Sequence, residues 1–185
     1  MQNEPLIKFA KPDNKAQEEP FFYGTIYEEE EGRIKISADK DQTDLLLNLT
    51  DNLNPPYFVL YVLVVSRLSN ELGRYQSPLF ETKAELAKFL NTFRVYFETD
   101  ARHHIWIGTT DDSGLLVYDQ HNVIYAYGNE AEYITLLEKD DYKNQKFSFP
   151  APHIHYYHQE NDIFEQKLID SFDWDIFPLC ETDMY

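Results

Sequence analysis

Two short segments rich in histidine suggest a metal-binding or catalytic site. The segment 153–158, with the sequence HIHYYH, carries three of the six histidines. Because side chains alternate along an extended chain, His153 and His155 project to the same side and can share one metal ion. With His158, Glu160 or Asp162 as third ligand, these imidazoles suit zinc, iron(II) or nickel. The alternative is a polar, aromatic-rich loop whose histidines bond to the backbone or to solvent.

The second segment, Arg102–Ile107, places two imidazoles in a predicted strand. His103 shares one face with two isoleucines and His104 shares the other with a tryptophan. One of the two rings must therefore lie against apolar neighbours, where its pKa falls. His104, Asp119 and His121 are candidate acid–base residues around a cleft, since Asp119 and His121 occupy a strand end and its turn. A buried, hydrogen-bonded core histidine is the alternative.

Arginine is scarce in this chain, and two of the five arginines are candidates for binding an anionic ligand. Arg74 lies in a polar loop, Ser66–Pro78, after a predicted buried strand, and Arg102 precedes the paired histidines. Because the guanidinium group is a planar fork, Arg74 and Arg102 together could clamp a carboxylate or a phosphate. The alternative is that both pair with the chain's own surplus of carboxylates.

The charge balance excludes some classes of partner. The 185 residues include 33 acidic and 16 basic ones, for a net charge of −17, which disfavours binding to nucleic acid or anionic lipid. The longest apolar run, Tyr57–Val65, has nine residues, whereas a membrane helix needs about twenty. The first residues show no apolar signal segment, and the single cysteine excludes an internal disulfide framework. We therefore expect a cytoplasmic protein without nucleic-acid or membrane partners.

Familiar catalytic signatures are missing. The sequence contains no phosphate-binding glycine loop, no G-x-S-x-G serine motif and no H-E-x-x-H zinc motif. The 14 tyrosines, the 13 phenylalanines and the acidic surplus suit the binding of a basic protein. The sequence thus favours a protein-binding module over an enzyme. The alternatives are a metal-dependent enzyme that uses the histidines of segment 153–158, with zinc or iron as cofactor, and a homodimer with no small ligand.

Hydrophobic periodicity predicts the strands and helices that carry these residues. Phe21–Tyr27 and Arg33–Ser37 form a predicted hairpin, and Tyr57–Val65 is a predicted central strand. Thr82 and Glu85 form a capping box before an apolar stripe that continues to Phe97. Further strands are predicted at 103–109, 115–119, 123–127 and 147–149, short helices near 43–53 and after 129, and a final helix at about 161–172.

Strands joined by hairpins, with helices between them, predict an α+β fold. We expect a single domain over residues 21–185, with a mostly antiparallel sheet and helices packed mainly on one face. Residues 1–20 are predicted to form an irregular N-terminal arm, because Lys11–Pro20 has the composition of a loop.

Four segments together, 74–78, 102–107, 116–128 and 152–158, resemble a family of small bacterial cytoplasmic proteins. This resemblance covers about Tyr57 to Leu179 and implies no activity. Leu116–Leu137 also resembles the SMI1/KNR4-type immunity and adaptor proteins, which implies a protein-binding, immunity-type role. The chain lacks that family's N-terminal tryptophan and Gly-Pro signature.

Overall fold

Antiparallel hairpins combine into one large sheet that carries the helices. The structure is a computed structural model that describes residues 6–12 and 18–184. The described residues are 29% helical and 31% strand, with a mostly antiparallel sheet. This confirms the predicted α+β class.

The described residues form twelve strands and five helices, which turns and loops connect. The strands are β1 (Phe9–Pro12), β2 (Glu18–Pro20), β3 (Ile26–Glu30), β4 (Arg33–Ser37), β5 (Tyr57–Leu63), β6 (Gly73–Gln76), β7 (His103–Thr109), β8 (Gly114–Tyr118), β9 (Val123–Gly128), β10 (Lys143–Asn144), β11 (Ile154–His155) and β12 (Asp175–Phe177). The helices are α1 (Gln42–Leu49), α2 (Lys83–Thr92), α3 (Arg94–Thr99), α4 (Glu130–Lys139) and α5 (Asp162–Ile169), with 3₁₀ turns at Thr50–Asn52, Gln159–Asn161 and Glu181–Met184. None of the described helices reaches the length and apolar character that crossing a bilayer demands.

The strands form two sheets. The large sheet has the order β10-β3-β4-β9-β8-β7-β5-β6-β12, and only the β10–β3 pair is parallel. The small sheet has the order β11-β1-β2. The described part of the predicted irregular arm therefore contains two strands, because β1 pairs with a segment more than 140 residues away, which loop composition cannot reveal. Residues 1–5 and 13–17 of that arm lie outside the described residues.

Alternation along the strands separates a helix-covered face from an open face. Tyr61, Ile105 and Leu116 belong to a core to which all five helices contribute buried residues. On the opposite face Leu60 and Trp106 belong to a second, smaller cluster, against which Leu179 of the C-terminal tail packs. The helices thus pack on one face, as predicted.

Four local predictions differ from the structure. The first strand of the predicted hairpin, expected at Phe21–Tyr27, is β3 at Ile26–Glu30, so it begins five residues later. The Thr82 capping box is present, but the predicted long helix is divided at Phe93, whose ψ of 11° departs from helical geometry. The predicted loop Ser66–Pro78 contains strand β6, which pairs with β5 and β12. Residues 147–149 are not a strand, and the edge is formed by β10, since Lys143 pairs with Ile26.

His103 is the imidazole that faces the core. The ring is fully buried against Tyr61, Tyr96 and Phe97, and neither nitrogen has a hydrogen-bond partner among the described residues. Burial holds the pKa of His103 well below its usual value, and nearby Lys8, among other cations, acts in the same direction. This confirms that one of the two adjacent imidazoles lies against apolar neighbours, although it has no hydrogen-bond partner there.

We predict that His103→Leu makes the protein less sensitive to acid. Since the folded-state pKa of His103 is lowered, the unfolded chain binds the extra proton as the pH falls through about 6.5. The free energy of unfolding of the wild type should therefore fall with pH below that value, with a slope steeper than that of the variant by up to one proton. Urea titrations from pH 4 to 9 measure both slopes. Parallel curves between pH 7 and 9 are the internal control, and parallel curves below pH 6 would contradict the assignment.

Candidate metal centre

Three histidines converge where the turn between β8 and β9 meets the segment 150–158. His121 lies in that turn, and His155 lies on β11, where it pairs with Phe9 of β1. The turn is held by the carboxylate of Asp119, which accepts hydrogen bonds from the backbone N–H groups of His121 at 2.8 Å and Val123 at 2.9 Å. The side chain of a short acidic residue is suited to closing such a turn.

One nitrogen from each of His121, His153 and His155 lies within 4.8 Å of the others. The Nε2 atoms of His121 and His153 are 3.3 Å apart. Two nitrogens bound to one zinc ion at 2.0–2.1 Å with tetrahedral angles lie about 3.3–3.4 Å apart. The separation therefore already matches one edge of a tetrahedral site. The Nε2 atom of His155 is buried without a hydrogen-bond partner among the described residues.

The opposite nitrogens of two of these rings are held by acceptors. His121 Nδ1 lies 3.2 Å from Asp119 Oδ2, and His153 Nδ1 lies 2.9 Å from the carbonyl oxygen of Pro150. Since both acceptors are oxygens, each Nδ1 carries a proton, and in a neutral ring the lone pair then lies on Nε2. The contact between the two Nε2 atoms is a hydrogen bond only when one of the two rings carries a second proton, which a metal ion would replace. A carboxylate or carbonyl behind a metal-binding histidine orients the ring and raises its basicity.

The electrostatics favour a neutral His155 ring and a charged Asp119 carboxylate. Burial, and then the neighbouring rings of His121 and His153, lower the pKa of His155 to about 3. That ring is therefore neutral and able to bind a metal at physiological pH. Burial alone would raise the pKa of Asp119, but the hydrogen bond from His121 and the charges of nearby histidines hold it below its usual value.

Aromatic side chains limit the movement of the rings. Phe149 stacks on His121, with ring centroids 4.1 Å apart and planes inclined by 9°. Phe9 meets both His121 and His153 edge to face. The hydroxyl of Tyr23 donates to the carbonyl oxygen of His121 at 2.9 Å.

A pocket of about 380 Å³ opens beside the three rings. Its other lining residues are Val64, Val65, Gln120, Phe149 and Tyr157. In the described part of the chain, no cysteine or carboxylate joins the three histidines as a further ligand of this group. A metal ion held there would therefore keep a coordination position open toward the pocket. Three protein ligands with an open position are typical of catalytic zinc sites.

The structure brings His153 and His155 together with His121 rather than with His158. His158 Nε2 lies 2.8 Å from the carbonyl oxygen of Ile7, and its ring stacks on Tyr156. The physical reason is that the extended backbone ends after His155. The N–H group of His158 is instead hydrogen-bonded to Asp100 Oδ2 at 2.9 Å, which turns its side chain toward the N-terminal segment.

The predicted acid–base group is only partly assembled. Asp119 and His121 are in contact, whereas His104 faces a different cleft, of about 430 Å³, on the open face of the sheet. Asp119 also lines that cleft, so it separates the cleft from the histidine cluster. His104 Nε2 lies 3.1 Å from the carbonyl oxygen of Asp183, and burial lowers the pKa of His104.

The two candidate anion-binding arginines are paired with carboxylates of the chain. Arg74 makes two hydrogen bonds to Asp183, at 2.8 and 2.7 Å. Arg102 is fully buried and contacts Asp100 at 2.9 Å and Glu165 at 2.5 Å. Arg74 and Arg102 thus form ion pairs with carboxylates of the chain, which is the alternative that the sequence left open.

Comparison of the chain with family models, with curated proteins and with solved structures finds no match. The two family resemblances given above stay predictions.

The sequence offered one signal for the missed ligand. Asp119 and His121 form an Asp-x-His pattern at a strand end, and His121 is the acid–base candidate that the structure places in the group of three converging histidines. Its spatial neighbours lie 32 and 34 residues further along the chain. Sequence spacing alone cannot show that proximity.

We predict that Asp119→Asn weakens zinc binding without removing it. The asparagine side chain can still occupy the turn, but the substitution removes the negative charge behind His121. Loss of such a partner lowers metal affinity by about 10- to 100-fold. Competition with a chromophoric chelator measures the dissociation constant. Asp111→Asn is the matched control, because Asp111 also accepts a loop hydrogen bond, from Ser113, but lies outside the cluster. Equal affinities in the two variants would contradict the role assigned to Asp119.

Proposed function

We propose that this protein binds one divalent zinc ion through His121, His153 and His155 and is a metal-dependent enzyme that activates a water molecule. The observation that supports this most directly is the convergence of the three rings, with one nitrogen from each within 4.8 Å of the others. Imidazole nitrogen is a ligand that zinc favours.

The ligand set also supports a catalytic rather than a structural site. Three neutral imidazoles leave the full charge of the ion uncompensated, and such a charge can lower the pKa of a bound water to about 7. The pocket beside the rings leaves space for that water and for a reactant. Asp119 and the Pro150 carbonyl oxygen would hold His121 and His153 in the tautomer that binds zinc.

A protein-binding module, the function favoured by composition, has less support from geometry. In the acidic run 28–31, Glu28 lies 3.2 Å from Lys35 and Glu30 lies 2.5 Å from Arg33. These two carboxylates are paired with cations of the chain, whereas Glu29 and Glu31 are exposed and make no ion pair among the described residues. The binding of a basic protein stays a prediction that rests on the net charge of −17.

We predict that the purified protein binds one equivalent of zinc, and that His121→Ala and His155→Ala each abolish high-affinity binding. Each change removes one of three ligands, so the remaining two imidazoles hold the ion far more weakly. Elemental analysis after dialysis against zinc and then buffer measures the stoichiometry. His158→Ala is the matched control, because His158 belongs to the same segment but faces Ile7.

A stoichiometry below about 0.1 in the wild type, under conditions that load a known three-histidine zinc site, would overturn the proposed function. So would full retention of zinc by His121→Ala. Loss of zinc from His158→Ala with retention by His121→Ala would restore the ligand set predicted from sequence spacing.

A further inference from the structure

The pocket at the three histidines differs in charge from the cleft on the open face of the sheet. The cleft is lined by Arg33, Asp119 and Asp183, among others. Apart from the histidines, the pocket is lined by two valines, one phenylalanine, one glutamine and one tyrosine. None of these described lining residues carries a formal charge at neutral pH.

Asp119 and Lys8 lie close to the imidazoles but do not line the pocket. Asp119 is buried and accepts hydrogen bonds from the His121 turn. Lys8 is also buried, and its Nζ atom donates to the carbonyl oxygen of Asp119 at 2.9 Å. Tyr157 also lines the pocket, and a tyrosine hydroxyl group is neutral at physiological pH. Apart from the proposed metal ion, the described lining therefore offers hydrogen bonds but no ion pair.

This lack of charge in the lining disfavours anionic reactants for two reasons. A phosphate or carboxylate entering the pocket would lose its hydration without gaining a guanidinium or ammonium partner from the lining, and if it bound the metal ion it would displace the water that the reaction needs. The net charge of −17 would also repel an anion during approach. A neutral molecule loses no charged hydration shell and is not repelled by the net charge. Apolar contacts with Val64, Val65 and Phe149 favour its binding.

We infer that the pocket selects small uncharged carbonyl compounds, and that a neutral ester is hydrolysed at the open position of the metal. This inference rests on the proposed function and names the substrate class of the same site. A volume of about 380 Å³ limits the substrate to a small molecule.

The reaction balances with water as the only co-reactant. The oxygen of the metal-bound hydroxide forms a bond to the carbonyl carbon, and the bond from that carbon to the leaving oxygen breaks. The leaving oxygen departs with the electron pair and takes up one proton, which gives an alcohol and a carboxylic acid that ionises in solution. A second water then binds the metal and loses its proton to solvent.

Two esters that differ in charge test the inference. Methyl 4-acetoxybenzoate is neutral, and 4-acetoxybenzoate carries one negative charge, while both transfer the same acetyl group. Each kcat/KM of the zinc-loaded protein is divided by the uncatalysed rate constant of that ester. We expect the corrected value for the neutral ester to exceed that for the anion by at least about tenfold, and the activity to disappear from His155→Ala.

A charge placed in the pocket should change this preference. Val65→Lys introduces a cation among the lining residues and should lower the neutral-to-anion ratio by at least about threefold. Val95→Lys is the matched control, because it makes the same substitution on an exposed position of α3 away from the pocket. Equal ratios in these two variants would overturn the argument from the lining residues.

The failure of the inference can be distinguished from the failure of the proposed function. A protein that binds one zinc ion through His121 but hydrolyses neither ester above its metal-free form would overturn the substrate class and leave the metal site intact. A zinc-loaded protein that prefers the anionic ester would overturn the charge argument. A protein that binds no zinc would overturn both.

Discussion

A buried ion cluster around Arg102 fixes the segment that carries two of the three metal-ligand candidates. That segment has little secondary structure of its own, since β11 has only two residues. Arg102 and Asp100 are fully buried and form an ion pair with each other. The carboxylate of Asp100 also accepts a hydrogen bond from the N–H group of His158 at 2.9 Å. The N–H group of the neighbouring Ala101 donates to the carbonyl oxygen of Tyr156 at 3.0 Å. Removing one partner from a buried cluster of this kind leaves an unpaired charge, which costs about 3–5 kcal/mol. The segment is therefore held by electrostatics that a short strand could not supply.

Because the ion cluster around Arg102 fixes this segment, the three imidazoles lie close to a metal-binding arrangement before any metal binds. His121 and His153 are oriented from behind by oxygen acceptors, and their Nε2 atoms already lie 3.3 Å apart. His155 has a buried nitrogen without a partner, and leaving a buried polar group unsatisfied costs about 1–3 kcal/mol. A metal ion bound to that nitrogen would satisfy it. Binding would accordingly stabilise the folded chain, since the unfolded chain has no preformed site.

Local sequence rules predicted much of the fold and two of the three candidate ligands. Alternation along an extended chain placed His153 and His155 on one side, and the Asp119 turn marked His121 as a functional residue. The same rules assigned the third ligand to His158, because spacing along the chain says nothing of contacts between distant segments. The pairing of β1 with β11 and the capture of His158 by Asp100 decide that geometry, and both depend on residues more than 50 positions apart. The N-terminal strands were missed for the same reason.

We propose that three imidazoles of this chain bind one metal ion together and leave a position for water. X-ray absorption at the zinc edge of the zinc-loaded protein measures this coordination shell. Three imidazole nitrogens and one further oxygen are expected at about 2.0–2.1 Å, with no sulfur in the shell. A shell of oxygens alone, a single imidazole, or a sulfur ligand from Cys180 would contradict it.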